Sequence, residues 1–324
     1  MTLTTPILAL VDHDEAGALT APSAQVLTAA RSLTSGPVVA LALDTPDTDA
    51  LARYGAARVL VADLGGRSPR LSAVVADAAQ AAMQAVGAEA LLCVSHYLGR
   101  EVAARLAVAL GGAPIVDVTR AWEENGNIHA SKPALAGAWE TSIHVEDAPA
   151  ILAIRPSAIE ETEAPADANV EALTVDFSAA ADAVTVVSST PQERTGRMPL
   201  TEARTVIVGG RGLEGDFSPA EELADLLDAA VGATRVATDE GWVSRSLQVG
   251  QTGVSISPNL YIGLGVSGAI HHTVGMQSSR HIVAVCDDPD APIFEIADFG
   301  VVGDLFEVVP QAIEVLRREG YGQA

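Results

Sequence analysis

Five short apolar runs, at residues 7–11, 38–43, 58–62, 90–94 and 114–118, are separated by stretches whose apolar residues have helical spacing. Val26, Leu27, Ala30 and Leu33 make one such face, and residues 69–86 carry a longer one. Strands that alternate with amphipathic helices build βαβ units. Strands apolar along their whole length need helices on both sides of a parallel sheet. Gly55, Gly87 and Gly112 stand just before the next run, where helix C-caps belong.

A chain of 324 residues with 48% hydrophobic content can bury the cores of two domains. Its 42 acidic and 19 basic residues give a formal charge of -23. That balance excludes a phosphate-neutralising nucleic-acid footprint and disfavours an anionic membrane surface. Cys93 and Cys286 are too far apart for a metal knuckle and too few for a disulfide framework. The start, Met1 to Pro6, has no basic n-region and no apolar run is long enough to span a bilayer, so the expected location is a reducing cytoplasm.

Between residues 122 and 155 the period shortens, and Asn125-Gly126 and Pro133 predict hairpins that extend the sheet in antiparallel fashion. Residues 160–182 are acidic, contain Pro165 and lack basic side chains, which predicts a solvated connector. Residues 188–199, with Pro191, Gly196 and Pro199, mark the boundary between an N-terminal α/β domain (1–199) and a second domain (200–324). The second opens with an apolar strand at 205–208. Ser218-Pro219-Ala220-Glu221 reads as a capping box that starts a helix through Leu223, Leu226, Leu227 and Ala230, ended by Gly232. Further strands are predicted at 235–237, 260–266 and 282–286, and a last helix at 310–318.

Three glycine-bearing turns follow or adjoin these strands: Gly209-Gly210-Arg211-Gly212, Gln248-Val249-Gly250-Gln251-Thr252-Gly253, and Gly263-Leu264-Gly265-Val266-Ser267-Gly268. Glycine lets a backbone come close to an anionic ligand, and the amides of such turns bind phosphate. Three of them point to a large ligand with a pyrophosphate. The third matches the dinucleotide fingerprint GxGxxG, with Asp287-Asp288 at the end of the next strand. The crossover between those strands is short, however, and earlier strands precede the motif. A nicotinamide dehydrogenase is thus open but not favoured.

Arg211, Arg235, His271 and His272 lie beside the glycine turns and would give an anionic ligand a positive lining. Glu240, Asp298 and Asp304 are available carboxylates that nothing pairs as acid and base, and no nucleophile–base or metal-spaced cluster accompanies them. The residues describe a site that holds a ligand. Two readings stay open at this point: a nicotinamide- or flavin-dependent oxidoreductase acting on a small molecule, and a nucleotide-binding module whose first domain resembles the adenine-nucleotide hydrolase fold and holds the ligand.

These runs, in order, resemble the FAD-binding domain of electron transfer flavoprotein alpha subunits. So do Gly232-Ala233-Thr234-Arg235, Leu260-Tyr261-Ile262, Val266-Ser267-Gly268-Ala269-Ile270-His271-His272, Asp290-Ala291-Pro292-Ile293-Phe294 and Asp298-Phe299-Gly300 through Asp304-Leu305-Phe306. The first domain is similar to the family more loosely, through Leu10-Val11 with its acidic loop and the run from Gly99 to Leu106.

The resemblance implies two doubly wound α/β domains with mainly parallel sheets, the C-terminal one Rossmann-like and flavin-binding. It implies an electron carrier without substrate chemistry of its own, paired with a beta subunit that holds AMP. Electrons would come from dehydrogenases such as those of fatty acid beta-oxidation that act on acyl-CoA, and go to a quinone oxidoreductase. Carried over by motif, Arg211, Thr234, Arg235, Val249, Gly250, Gln251 and Thr252 would line the FAD. So would Ser267, Gly268, Ala269, Ile270, His271, His272, Asp304 and Leu305, with Ser267 to Ile270 at the pyrophosphate and Asp304 at the adenosine end. Cys286 stands where an Asn commonly contacts the adenosine half. Arg235, Thr252 and His272 would tune the redox centre: Thr252 at the flavin N5 edge, His272 at O2, Arg235 against the ring. A flavin that stops after one electron carries negative charge over N1 and O2, which calls for a fixed cation or donor there. Tyr261, Trp242 and the segment after Pro310 are candidates for a docking surface toward protein partners; the alternative is that they belong to the core, which is the favoured reading for Tyr261.

Overall fold

The computed structural model describes residues 3–14, 16–135, 137, 139–146, 148–189 and 196–322. Its contacts divide the chain into two compact units, residues 1–134 with 138–191, and residues 135–137 with 192–324. Residues 190–195, inside the stretch expected to carry the domain boundary and including Pro191, lie outside the described residues.

The first unit runs β1 (Ile7–Leu10), α1 (Ala21–Leu33), β2 (Val38–Ala42), α2 (Thr48–Arg53), β3 (Arg58–Asp63), α3 (Ser72–Val86), β4 (Ala90–Val94), α4 (Tyr97–Leu110) and β5 (Pro114–Val118). It continues through β6 (Arg120–Glu124), β7 (Asn127–Ala134), β8 (Trp139–His144), β9 (Ala150–Ile154), β10 (Asn169–Thr174) and α5 (Ala179–Asp182). Seven strands form one sheet in the order β10-β3-β2-β1-β4-β9-β5, with every pair parallel. Side chains alternate between its faces. Leu8 and Leu10 of β1 enter a core with α3 and α4, while Ile7 and Ala9 enter a second core with Val26, Leu27, Ala30 and Leu33 of α1. Both faces are covered, which is why the strands read as unbroken apolar runs. Thr20 caps α1 by accepting from the Ser23 amide, and Gly87 closes α3 in the left-handed region at φ 66°.

Several expectations need correction here. The hairpins do not extend the main sheet: β6, β7 and β8 make a separate antiparallel sheet, and β9 returns as a parallel strand between β4 and β5. The acidic connector contains an edge strand, because β10 runs parallel to β3, where Glu171 meets the Arg58 guanidinium through two bonds of 2.8 Å. Gly111, and not Gly112, closes α4.

The second unit contains β11 (Thr205–Gly209), α6 (Ser218–Leu227), β12 (Ala230–Ala233), α7 (Arg235–Asp239), β13 (Leu260–Leu264), α8 (Ile270–Thr273), β14 (His281–Cys286), β15 (Phe299–Val302) and α9 (Leu305–Arg318). Its sheet is parallel throughout, in the order β12-β11-β13-β14-β15. The expected helix from Ser218 ends early, at Asp228 in the left-handed region (φ 49°), so Gly232 falls inside strand β12. Residues 235–237, read as a strand, are instead the start of α7. The capping box does not form: the Ser218 amide and hydroxyl both donate to Asp216 Oδ1, at 3.0 and 2.6 Å. At the other end Asp304 caps α9 through the Phe306 amide, which starts the helix ahead of Pro310. Among the described residues no helix is long and apolar enough to cross a membrane.

Candidate functional site

In an open parallel sheet, ligands bind beyond the carboxyl ends of the strands, where the strand order reverses. In the second unit that point lies between β11 and β13. The first glycine turn leaves β11 and the third leaves β13, and they meet backbone on backbone. The Gly210 amide donates to Leu264 O at 2.9 Å and the Gly212 amide to Gly265 O at 3.1 Å. A Cβ on Gly210 would overlap the Gly265 carbonyl, so the contact admits glycine alone. The middle turn docks beside them: the Val249 amide donates to Ala233 O at 2.9 Å, just beyond β12.

These turns enclose a cleft of about 500 Å³, a size usual for small-molecule sites. Of the residues expected at a cofactor, Arg211, Thr234, Arg235, Val249 and Thr252 line it. Ser267, Gly268, Ala269, His271, His272 and Cys286 do so as well. Gly250, Gln251, Ile270, Asp304 and Leu305 are not among the lining residues. Gly250 packs against the His271 carbonyl behind the turn, Asp304 is spent on capping α9, and Leu305 is buried in the core of the unit. Glu214, Val236, Gln248, Asp287 and Asp288 also line the cleft, and none of them is expected there from the sequence. Asp287-Asp288 carried a signal, since an acidic strand end is where a ribose hydroxyl is bound in related folds.

The expected positive lining is smaller than the residue types imply. His272 is buried, with Nδ1 3.0 Å from the Val249 carbonyl and Nε2 2.8 Å from the Tyr261 hydroxyl. A carbonyl can only accept, so Nδ1 carries the hydrogen and Nε2 receives the tyrosine proton. Burial pushes the imidazole down to about 4, although the bond to Val249 opposes it. Burial therefore favours the neutral ring, with both nitrogens engaged, over the cation that the residue type leads one to expect. Tyr261 is fully buried and belongs to the core, the alternative that the sequence favoured over a docking role. Trp242 is half-buried against the core. His271 is exposed and holds Gln251 Oε1 at 2.8 Å. Arg235 is exposed, with Nε 3.1 Å from Asp239 one helical turn on, and Arg211 is exposed at the first turn. Cys286 ends β14 against the cleft, its thiol pushed up by burial. Among the described residues no group of His, Cys, Asp or Glu is placed to hold a metal.

The first unit has its own reversal, between β1 and β4. There His96 Nε2 donates to Asp12 at 2.9 Å, while Nδ1 accepts the Gly99 amide at 3.0 Å. Asp12, Asp14, Asp44 and Asp47 all act on neighbouring His13. Such a rim repels phosphate, so the nucleotide-binding reading finds no support in this unit.

Two family models match the chain. The electron transfer flavoprotein FAD-binding domain covers residues 199–277, and the electron transfer flavoprotein domain covers residues 7–180. The chain is 40% identical over 318 residues to an electron transfer flavoprotein subunit alpha of Mycobacterium leprae, spanning 96% of this chain and 98% of that protein. It belongs to the electron transfer flavoprotein alpha subunit family. The same name is carried by a Bacillus subtilis relative, 37% identical over 83% of each chain. A mitochondrial alpha subunit of Oryza sativa subsp. indica is 38% identical, over 80% of this chain and 73% of its own. A solved glycosyltransferase of Streptomyces nogalater aligns with 98% of this chain and 95% of its own, but at 13% identity and a TM-score of 0.28, too low to carry an argument. Membership makes the chain an electron-transfer flavoprotein with a flavin as cofactor. The glycine turns from Gly209 to Gly268 fall inside the FAD-binding match.

Proposed function

We infer that the cleft holds FAD without a covalent bond, and that the chain carries single electrons as one half of a heterodimer with an electron transfer flavoprotein beta subunit. The observation that supports this best is the coincidence of the FAD-binding domain, residues 199–277, with the glycine turns at the β11–β13 reversal. The residues fit the group. Gly265 and Gly268 hold positive φ, 62° and 82°, and bring the backbone around Ser267 to the cleft wall, where a pyrophosphate needs amides rather than side chains.

FAD supplies the redox chemistry when bound, taking up electrons singly or in pairs. The chain's own residues bind and orient it. Ser267, Gly268 and Ala269 offer amides to the pyrophosphate, and Arg211 offers charge to the same anion. Thr252 presents a hydroxyl toward the N5 edge, and Arg235 lies toward the ring. His272, with both ring nitrogens engaged, ties the middle turn to β13 through Val249 and Tyr261 and so holds the wall against which the ring would lie. Cys286, with Asp287, takes the adenosine side. Nothing in this set moves a proton on a substrate, which suits a carrier.

The donors in this reading are dehydrogenases such as those acting on acyl-CoA in fatty acid beta-oxidation, and the acceptor is a quinone oxidoreductase, with AMP in the beta subunit and a cytoplasmic location. Expressed together with a beta subunit, the full chain is expected to run as a one-to-one complex in light scattering and to be poor in flavin when expressed alone. A stable, FAD-replete monomer would count against the heterodimer. NADH by itself is expected to leave the flavin spectrum oxidised; rapid bleaching would favour a nicotinamide-dependent oxidoreductase instead.

A further inference from the structure

Gln248 is 1% exposed, yet both ends of its amide meet hydroxyl groups. Its Oε1 lies 3.0 Å from Thr238 Oγ1, and its Nε2 lies 2.8 Å from Thr252 Oγ1. Thr238 Oγ1 is also 2.9 Å from the Arg235 carbonyl. The backbone of Gln248 cannot drift, because its carbonyl accepts the Val254 amide at 2.7 Å and its own amide donates to Arg245 O at 3.1 Å. Only the side-chain amide has freedom to turn.

A hydroxyl has one proton, so this row of groups has two self-consistent settings. In the first, Thr238 donates to Gln248, Gln248 donates to Thr252, and Thr252 keeps its proton for the cleft. In the second, Thr238 gives its proton to the Arg235 carbonyl. The Gln248 amide is then turned over, donates to Thr238 and accepts from Thr252, and Thr252 offers the cleft only a lone pair. Neither setting leaves the buried amide without a partner, which would cost about 1–3 kcal/mol. The balance between them is therefore decided by what faces Thr252.

We propose that Gln248 is a positioning residue that sets whether the Thr252 hydroxyl donates to, or accepts from, the group bound in the cleft. This rests on the reading of the cleft as a flavin site with Thr252 toward N5. That nitrogen accepts a hydrogen bond when the flavin is oxidised and carries a hydrogen when it is reduced, so the two oxidation states ask opposite things of Thr252. A turning amide serves both, but not equally, because only in the second setting does the Thr238 hydroxyl also satisfy the Arg235 carbonyl, so loss of Gln248 removes a bias between the two oxidation states.

The test compares the flavin-loaded full chain, expressed together with a beta subunit, with Gln248→Leu, Thr252→Val, the double variant and Thr238→Val in the same complex. Flavin content is measured after denaturation, and the flavin midpoint potential and visible spectrum are measured on the intact protein. Gln248→Leu is expected to retain flavin and to change the ratio of affinities for oxidised and reduced flavin by about tenfold, the size of one net hydrogen bond. For a two-electron couple that ratio is about 30 mV. Thr252→Val should shift the potential comparably, and the double variant no further than either single one, since both act through one hydroxyl. A parental potential in Gln248→Leu, or additive shifts in the double variant, overturns the proposal. If Gln248→Leu does not fold, Thr238→Val decides: it removes the group that biases the amide, so a parental potential there also overturns it. A parent chain that carries no flavin overturns the flavin reading and this proposal together, whereas a flavin-loaded parent with indifferent variants overturns this proposal alone.

Discussion

Gly265→Ala is expected to destabilise the second unit by roughly 2–5 kcal/mol and to empty the cleft of flavin. Two independent costs meet at this residue. Its φ of 62° lies in the left-handed region, where an L side chain costs about 1–2 kcal/mol. The added Cβ would also stand 2.6 Å from Gly212 Cα and 2.9 Å from Gly212 N. Those are backbone atoms, so no rotamer change relieves the clash, and the first and third glycine turns must separate. Gly241 supplies the control: it has φ 75°, but a Cβ there would meet nothing within 4 Å. Gly241→Ala isolates the cost of the backbone conformation at about 1–2 kcal/mol. Urea unfolding of both variants, with flavin content read alongside, separates the two costs. Equal losses would mean that the turns do not depend on their backbone contact.

The second large effect is a pH dependence centred on His272. Its ordinary value of 6.5 falls to about 4 because burial disfavours the charged ring. The unfolded chain thus binds a proton near pH 6.5 while the folded chain still refuses it. The stability tied to the neutral ring is present in full above pH 6.5 and is lost as pH falls toward 4. The gap corresponds to on the order of 3 kcal/mol. Carboxylates contribute acid sensitivity of their own, so the measurement is a difference: unfolding free energy at pH 7 and pH 4 for the parent and for His272→Gln. The parent is expected to lose more than the variant, by an amount of that order. A parent and variant that lose stability in parallel would show that His272 is charged, or solvated, in the folded protein.

Both effects bear on what a sequence can disclose. β1 to β5 were legible because a doubly covered parallel strand must be apolar on both faces, and that pattern is local. β10 was hidden, since an exposed edge strand in an acidic segment has no such pattern and is held by its pairing with β3. The β12 region misled: a helix pattern ran on through Ala230, whereas Asp228 turns the chain and Gly232 is a strand residue close to Val249. At the site, the glycine turns were readable as phosphate-type loops, but their mutual contact was not. His271 and His272 look alike in sequence. Tertiary packing leaves one exposed and buries the other against Tyr261, and so decides which can carry charge. Gln248 is visible as the first residue of the middle turn, but its role is not legible for a similar reason, because its partners Thr238 and Thr252 come together only in the fold.

The central claim is that FAD sits in the second unit's cleft, held at the turns from Gly209 to Gly268. The most direct measurement is the ratio of FAD to full chain, obtained from the visible spectrum before denaturation and from released flavin after it, in the parent, Arg211→Ala and Ser267→Leu, each expressed together with a beta subunit. Ser267 and Arg211 are exposed residues of the cleft wall, so neither change disturbs the core. Close to one FAD per chain is expected in the parent complex, released intact, with a substantial loss in both variants, larger in Ser267→Leu, where a branched side chain enters the space meant for the pyrophosphate. Full and equal flavin content in all three proteins would contradict that claim.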